Sequence, residues 1–163
     1  MQSTLLNHED TCKGAARGWI LRHNAIRDAL ATSLSSSSND ITTTIEPTIE
    51  GLSTRTDLVI TSKSNRHYYD IQVVAINAET AEQDPYLTLD QAARAKSVKY
   101  NALGPSFKPL IFSAGGLLSK ETSVEYKRLQ RLAGPSAANY LDNTISLVLL
   151  RTRAKARNSL GNY

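Results

Sequence analysis

The stretch Arg55-Thr56-Asp57-Leu58-Val59-Ile60-Thr61-Ser62-Lys63-Ser64-Asn65-Arg66-His67-Tyr68-Tyr69-Asp70-Ile71-Gln72-Val73-Val74-Ala75-Ile76 decides the fold. Its two runs of β-branched and aromatic residues, 55–61 and 67–76, flank a polar turn at 62–66. That pattern predicts a β-hairpin with a loop of about five residues. Each run carries an aspartate among apolar neighbours, Asp57 before Leu-Val-Ile and Asp70 before Ile71. Side chains alternate faces along a strand, so Asp70, Gln72 and Val74 share one side, as do Asp57 and Val59. Paired strands can bring both carboxylates to one face. Burying a carboxylate is costly without a positive partner. Two that converge need a cation, and oxygen ligands of this kind suit Mg²⁺ or Mn²⁺.

Upstream, residues 14–34 read as a helix, with Trp19, Ile20, His23, Ile26, Ala29, Leu30 and Ser33 at three- and four-residue steps. The serine-rich patch at 33–40 reads as a flexible connector, because serine hydroxyls compete for the backbone. Residues 41–46 read as a strand stopped by Pro47. Downstream, Pro85 opens a new element and the spacing from 88 to 103 is helical. Leu89, Ala92, Ala93, Lys96, Tyr100 and Leu103 fall on one stripe, with Lys96 in its middle and Lys99 at its edge. An inward lysine needs a partner, and the face bearing Asp57 and Asp70 is the candidate. A strand at 107–113 is closed by Gly115-Gly116, and helices follow at 119–132 and from 136 to about 157. The order α-β-β-β-α-β-α-α predicts an α/β protein, a single mixed β-sheet flanked by helices, with an αβββαβ core plus C-terminal helices.

The composition permits this. The chain has 163 residues, 40% of them hydrophobic and 21% charged, enough for one domain with a real core. The longest apolar run, 145–150, is far too short to cross a membrane. The first residues lack the basic start and apolar stretch of a secretory signal, and the single Cys12 has no internal disulfide partner. The expectation is an intracellular protein without a membrane partner. The net charge of +4 is uneven, with 5 basic and 7 acidic residues in 1–62 but 8 basic and 3 acidic in 120–163. The later part favours a polyanion.

Two acids, a divalent ion and a lysine form a hydrolytic site for phosphodiesters. The ion polarises phosphate and activates water, and the lysine stabilises charge developing in the transition state. The spacing Asp57-x12-Asp70, followed by Lys96-x-x-Lys99-Tyr100, resembles the PD-(D/E)xK nuclease superfamily. More narrowly, it resembles the restriction-like endonuclease domain of site-specific non-LTR retrotransposon proteins. There the lysine has moved from strand to helix, which matches Gln72 standing where the strand lysine of restriction enzymes would be. His8-x3-Cys12 is similar to the second half of that family's zinc knuckle, Arg22-His23-Asn24 to its Arg-His signature, and residues 108–116 to its strand and glycine turn.

The resemblance covers about 6–132. It implies a restriction-endonuclease-like core at 14–134, after a knuckle remnant at 1–13 and before a basic helix or tail at 135–163. It implies a nuclear, Mg²⁺- or Mn²⁺-dependent endonuclease acting on DNA, in company with element RNA and a reverse transcriptase domain. Asp57 and Asp70 would hold the ion, Lys96 or Lys99 would be catalytic, and Arg22 and His23 would touch DNA. The chain departs from the pattern at Thr56, where the family has Pro, and in the knuckle, whose first two cysteines are missing. Two ligands of four are too few for a structural Zn²⁺.

Other readings compete at each position. Asp57 and Asp70 read also as edge-strand acids or salt-bridge partners, and Lys96 and Lys99 as surface lysines. Asp28, Glu46 and Glu50 are further candidate carboxylates, and His23 a core histidine. Arg151, Arg153 and Lys155 in the C-terminal run read either as phosphate contacts or as a solvated tail, because they do not share one helix face. Two whole-chain alternatives follow: a catalytically inactive DNA-binding remnant of the same fold, and a small α/β ligand-binding domain.

Overall fold

A computed structural model describes residues 16–76 and 84–160, with side chains at 20–76 and 84–151. The elements run α1 (Ala16–Ser35), β1 (Ile41–Ile45), β2 (Leu58–Ser62), β3 (Asn65–Val74), α2 (Pro85–Lys99), a 3₁₀ turn (Asn101–Ser106), β4 (Phe107–Ser113), α3 (Lys120–Ala133) and α4 (Pro135–Leu160). The four strands form one mixed sheet in the order β1-β2-β3-β4, antiparallel except for the parallel β3–β4 pair. The expected α/β class, with a single mixed sheet flanked by helices and an αβββαβ order before two C-terminal helices, is the observed one.

The sheet buries both faces. On one, Ile26, Leu30 and Leu34 of α1 pack with Leu58, Ile71 and Leu110 of the sheet and with side chains of α3 and α4. On the other, Leu89 and Ala93 of α2 pack on Ile111, with Val74 alongside. Strands covered twice lose their alternation of polar and apolar residues. That is why β4, Phe-Lys-Pro-Leu-Ile-Phe-Ser, is buried almost throughout. It is nevertheless an edge strand, and its edge is closed. Pro109 has no N–H to offer, the Ile111 N–H donates to Thr122 Oγ1 at 2.8 Å, and the Ser119 N–H donates to the Ile111 carbonyl at 3.2 Å.

Helix ends follow local chemistry. Asp84 caps α2 by accepting the Tyr86 N–H, with Pro85 in the first turn, and Ser119 caps α3 by accepting the Thr122 N–H. The helix expected at 88–103 therefore starts three residues earlier and stops at Lys99, where Asn101–Ser106 tightens into a 3₁₀ turn holding Gly104 and Pro105. The serine patch ends α1. The hydroxyls of Ser35, Ser36 and Ser37 donate back to the carbonyls of Ala31, Ser33 and Leu34. On α1 itself, Ile20 is 60% exposed, so the apolar face begins only at Ile26.

The hairpin is tighter than the expected five-residue loop. β2 runs to Ser62 and β3 starts at Asn65, leaving Lys63-Ser64 as the turn, with Lys63 at φ 52°. A residue with a Cβ pays about 1–2 kcal/mol in that region. Glycine costs about 0.5–1 kcal/mol in lost chain entropy. Lys63 is exposed, so Lys63→Gly should raise stability by about 0.5–1 kcal/mol, read from the urea midpoint.

Candidate active site

The site lies where β2 begins. Asp57 stands just before β2, so the strand start expected at Arg55 falls three residues later, at Leu58. The ladder still reaches Asp57 through its main chain. Its N–H donates to the Tyr69 carbonyl at 2.9 Å, and its carbonyl accepts the Glu46 N–H at 2.9 Å. Asp57 thus bonds to the same Tyr69 that Leu58 pairs with, which places it beside the Tyr69–Asp70 step of β3. The Asp57 carboxylate then does what a main-chain carbonyl would have done: its Oδ2 accepts the Ile71 N–H at 2.6 Å.

Asp70 sits in β3 and is 5% exposed. Its Oδ2 lies 2.5 Å from Lys96 Nζ, and its Oδ1 accepts from the Tyr100 hydroxyl at 2.8 Å. The stripe on α2 is the cause. Leu89, Ala93 and Tyr100 are buried, which turns Lys96 inward and leaves its side chain 22% exposed. Lys99 points elsewhere. It is exposed, with its ammonium 4.9 Å from the centre of the Tyr100 ring. Of the two candidate lysines, only Lys96 meets an acid.

His23 joins from α1. Its Nε2 lies 2.9 Å from Asp57 Oδ2, and its Nδ1 3.2 Å from Asn24 Oδ1. Both nitrogens face oxygens, which the doubly protonated ring satisfies. The hydrogen bond to Asp57 raises the His23 pKa above its ordinary value against the opposing effect of burial. A raised folded-state pKa stabilises the fold below about 6.5, the unfolded value, and that contribution is lost as pH rises through the folded one. His23→Gln should therefore cost most at pH 6 and least at pH 9 in paired urea titrations. A cost independent of pH would show that the ring acts by packing alone.

The remaining sequence candidates are placed as follows. Arg22, expected to touch DNA, is 3% exposed. Asp28 and Glu46 are held by Arg27, whose Nε and Nη1 lie 2.9 Å from their carboxylates, and Glu50 is exposed. None of the three has a contact with Asp57 or Asp70 through its side chain among the described residues. Arg151 is exposed on α4. Arg153 and Lys155 lie beyond the described side chains, and His8 and Cys12 outside the described residues. Gly115-Gly116 forms a plain turn, with the Gly116 N–H donating to the Ser113 carbonyl at 3.0 Å.

Three contacts escaped sequence reasoning: His23 on Asp57, the Ile71 N–H on Asp57, and Tyr100 on Asp70. Tyr100 alone left a signal, being one turn beyond Lys96 on the same stripe. A cavity of about 390 Å³ lined by Phe112, Leu118, Tyr126, Ile145 and Leu149 includes none of the site residues.

Among the described residues, no group of three or more His, Cys, Asp or Glu side chains gathers as a metal cluster. Two carboxylates are nevertheless what Mg²⁺ commonly takes from a protein, the rest of its shell being water and substrate phosphate. Asp57 Oδ1 has no partner among the described residues, and Asp70 Oδ2 is met only by the Lys96 ammonium. The donor set fits a weakly held, substrate-shared ion rather than a caged one. No helix of the described residues is long and apolar enough to cross a membrane. No family model and no curated protein matches the chain.

Proposed function

We propose that the chain is a metal-dependent DNA endonuclease domain of the restriction-like type found in site-specific non-LTR retrotransposon proteins. One observation supports the reading: Asp57, just before β2, is bonded to β3 on either side of Asp70, through the Tyr69 carbonyl and the Ile71 N–H, and the Lys96 ammonium lies against Asp70. When bound, Mg²⁺ or Mn²⁺ supplies a polarised phosphate and an activated water. Asp57 and Asp70 would hold it. Lys96 sits within reach of the same place, on a buried apolar stripe, suited to meet negative charge developing on phosphate oxygens. His23 holds Asp57 by one oxygen and leaves the other open. DNA, element RNA, a reverse transcriptase domain and a nuclear location belong to this proposal.

A second reading has its own support. Each acid already has a cationic or cation-forming partner, Asp57 with His23 and Asp70 with Lys96. A self-neutralised network of that kind serves a catalytically inactive DNA-binding remnant equally well. The test is nicking of supercoiled plasmid by purified protein with Mg²⁺ or Mn²⁺. Nicking that disappears on chelation and in Asp57 and Asp70 variants supports the nuclease. DNA binding without nicking by the parent leaves the inactive remnant, and neither activity removes both readings.

A further inference from the structure

Tyr100 ends α2 and is 1% exposed. Its ring stacks on Phe107 with centroids 4.7 Å apart. Its hydroxyl lies 2.8 Å from the Arg55 carbonyl oxygen and 2.8 Å from Asp70 Oδ1. A phenol carries one proton, so it donates to one of these acceptors at a time or is shared between them. Either way the oxygen is wedged between the segment that leads into Asp57 and the strand that bears Asp70. A phenol is an uncharged donor at neutral pH.

The geometry points to Tyr100 as the positioning residue of the acid pair. Its hydroxyl sets the spacing between Arg55, two residues before Asp57, and Asp70. It also holds Asp70 Oδ1, so that Oδ2 is the oxygen left to Lys96 or to an ion. The functional consequence rests on the nuclease reading. Lys96 is a cation and cannot share Oδ2 with a divalent ion, whereas neutral Tyr100 keeps Oδ1 in either state. Partners of this kind, one step behind the ligand, commonly govern metal affinity by fixing the ligand's orientation.

The test is Tyr100→Phe, which keeps the ring on Phe107 and removes only the hydroxyl. Two readouts are taken. The first, in metal-free protein, is amide hydrogen exchange at Ile71, whose N–H donates to Asp57 and so reports where Asp57 sits. Exchange there should quicken by about tenfold or more, with the amides of β4 unchanged. The second is Mn²⁺ binding by electron paramagnetic resonance, expected to weaken by about 10- to 100-fold. Phe107→Leu serves as the packing control and should leave both readouts near the parent's. Parental Ile71 exchange and parental Mn²⁺ affinity in Tyr100→Phe would overturn the inference, as would equal effects from Phe107→Leu. Should the parent bind no Mn²⁺, the nuclease reading falls, and Ile71 exchange alone decides whether Tyr100 spaces the two acids.

Discussion

Replacing Asp57 or Asp70 by Asn should cut metal-dependent nicking by about a thousandfold or more. On the proposed nuclease reading, each change would remove a charged ligand, and with it several kcal/mol of transition-state stabilisation, at 1.36 kcal/mol per factor of ten. The choice of Asn matters. The Asp70 side chain is 7% exposed and paired with Lys96 at 2.5 Å. Cutting it to Ala would strand a half-buried ammonium at a cost of about 3–5 kcal/mol, a large share of the 5–15 kcal/mol that holds a typical domain together. Lost activity in Asp70→Ala could then mean lost fold. Asn also removes the counter-charge and turns an amide NH2 toward Lys96, but it keeps the shape and an oxygen for the Tyr100 hydroxyl, so it disturbs the packing less than Ala. Asp57 is less demanding at 17% exposure, but its Oδ2 serves both His23 and the Ile71 N–H, so Asn must turn its carbonyl toward Ile71. Single-turnover nicking with circular dichroism on the same samples checks the outcome. Folded variants that nick at the parent's rate would remove the two acids from the chemistry.

The parts of this site that the sequence exposes are those written in local periodicity. β-branched runs mark the strands, and period two places Asp70 with Gln72 and Val74. Period 3.6 puts Lys96 among Leu89, Ala93 and Tyr100, and this is enough to say that Lys96 faces inward while Lys99 does not have to. What the lysine meets follows once β3 and α2 are known to share a face. The hairpin turn differs from the five-residue expectation for a local reason: Ser62 and Asn65 look like loop residues but pair in the ladder, and Lys63 adopts a left-handed conformation that its side chain does not favour.

The rest depends on contacts distant in sequence. His23 and Asp57 are brought together only when α1 lies along the sheet, and nothing near His23 announces a carboxylate. Arg22 beside it, expected to touch DNA, is 3% exposed, and nothing in the local sequence announces that burial. Thr56 looked like a departure from the family's Pro. In the fold it is 1% exposed with a hydroxyl that has no hydrogen-bond partner among the described residues. The position is thus an apolar one occupied by a polar residue. Tyr100 is the plainest case. Periodicity says that it is buried, but the work of its hydroxyl depends on Arg55, 45 residues away.

Lys96→Met should lower the nicking rate at saturating DNA by about 10²–10³-fold, the loss typical of removing one donor to a developing oxyanion. Met keeps the bulk on the α2 stripe and removes only the charge. DNA affinity should change little, because a phosphate contact made by a side chain 22% exposed and held by Asp70 adds little to ground-state binding. Lys99→Ala should do the opposite. Its ammonium is exposed over the Tyr100 ring, so its loss should weaken binding in a salt-dependent way and leave the saturated rate near the parent's. Stability separates the two lysines as well. Lys96→Met leaves the Asp70 carboxylate buried with Tyr100 as its remaining partner, and the urea midpoint should fall. Adding Asp70→Asn should recover part of that fall, because the two changes remove one interaction. Rate titrated against DNA, affinity titrated against salt, and the four-protein stability cycle together check the assignment. If Lys96→Met keeps the saturated rate and loses only affinity, Lys96 is a phosphate contact and the Lys96–Asp70 pair is structural.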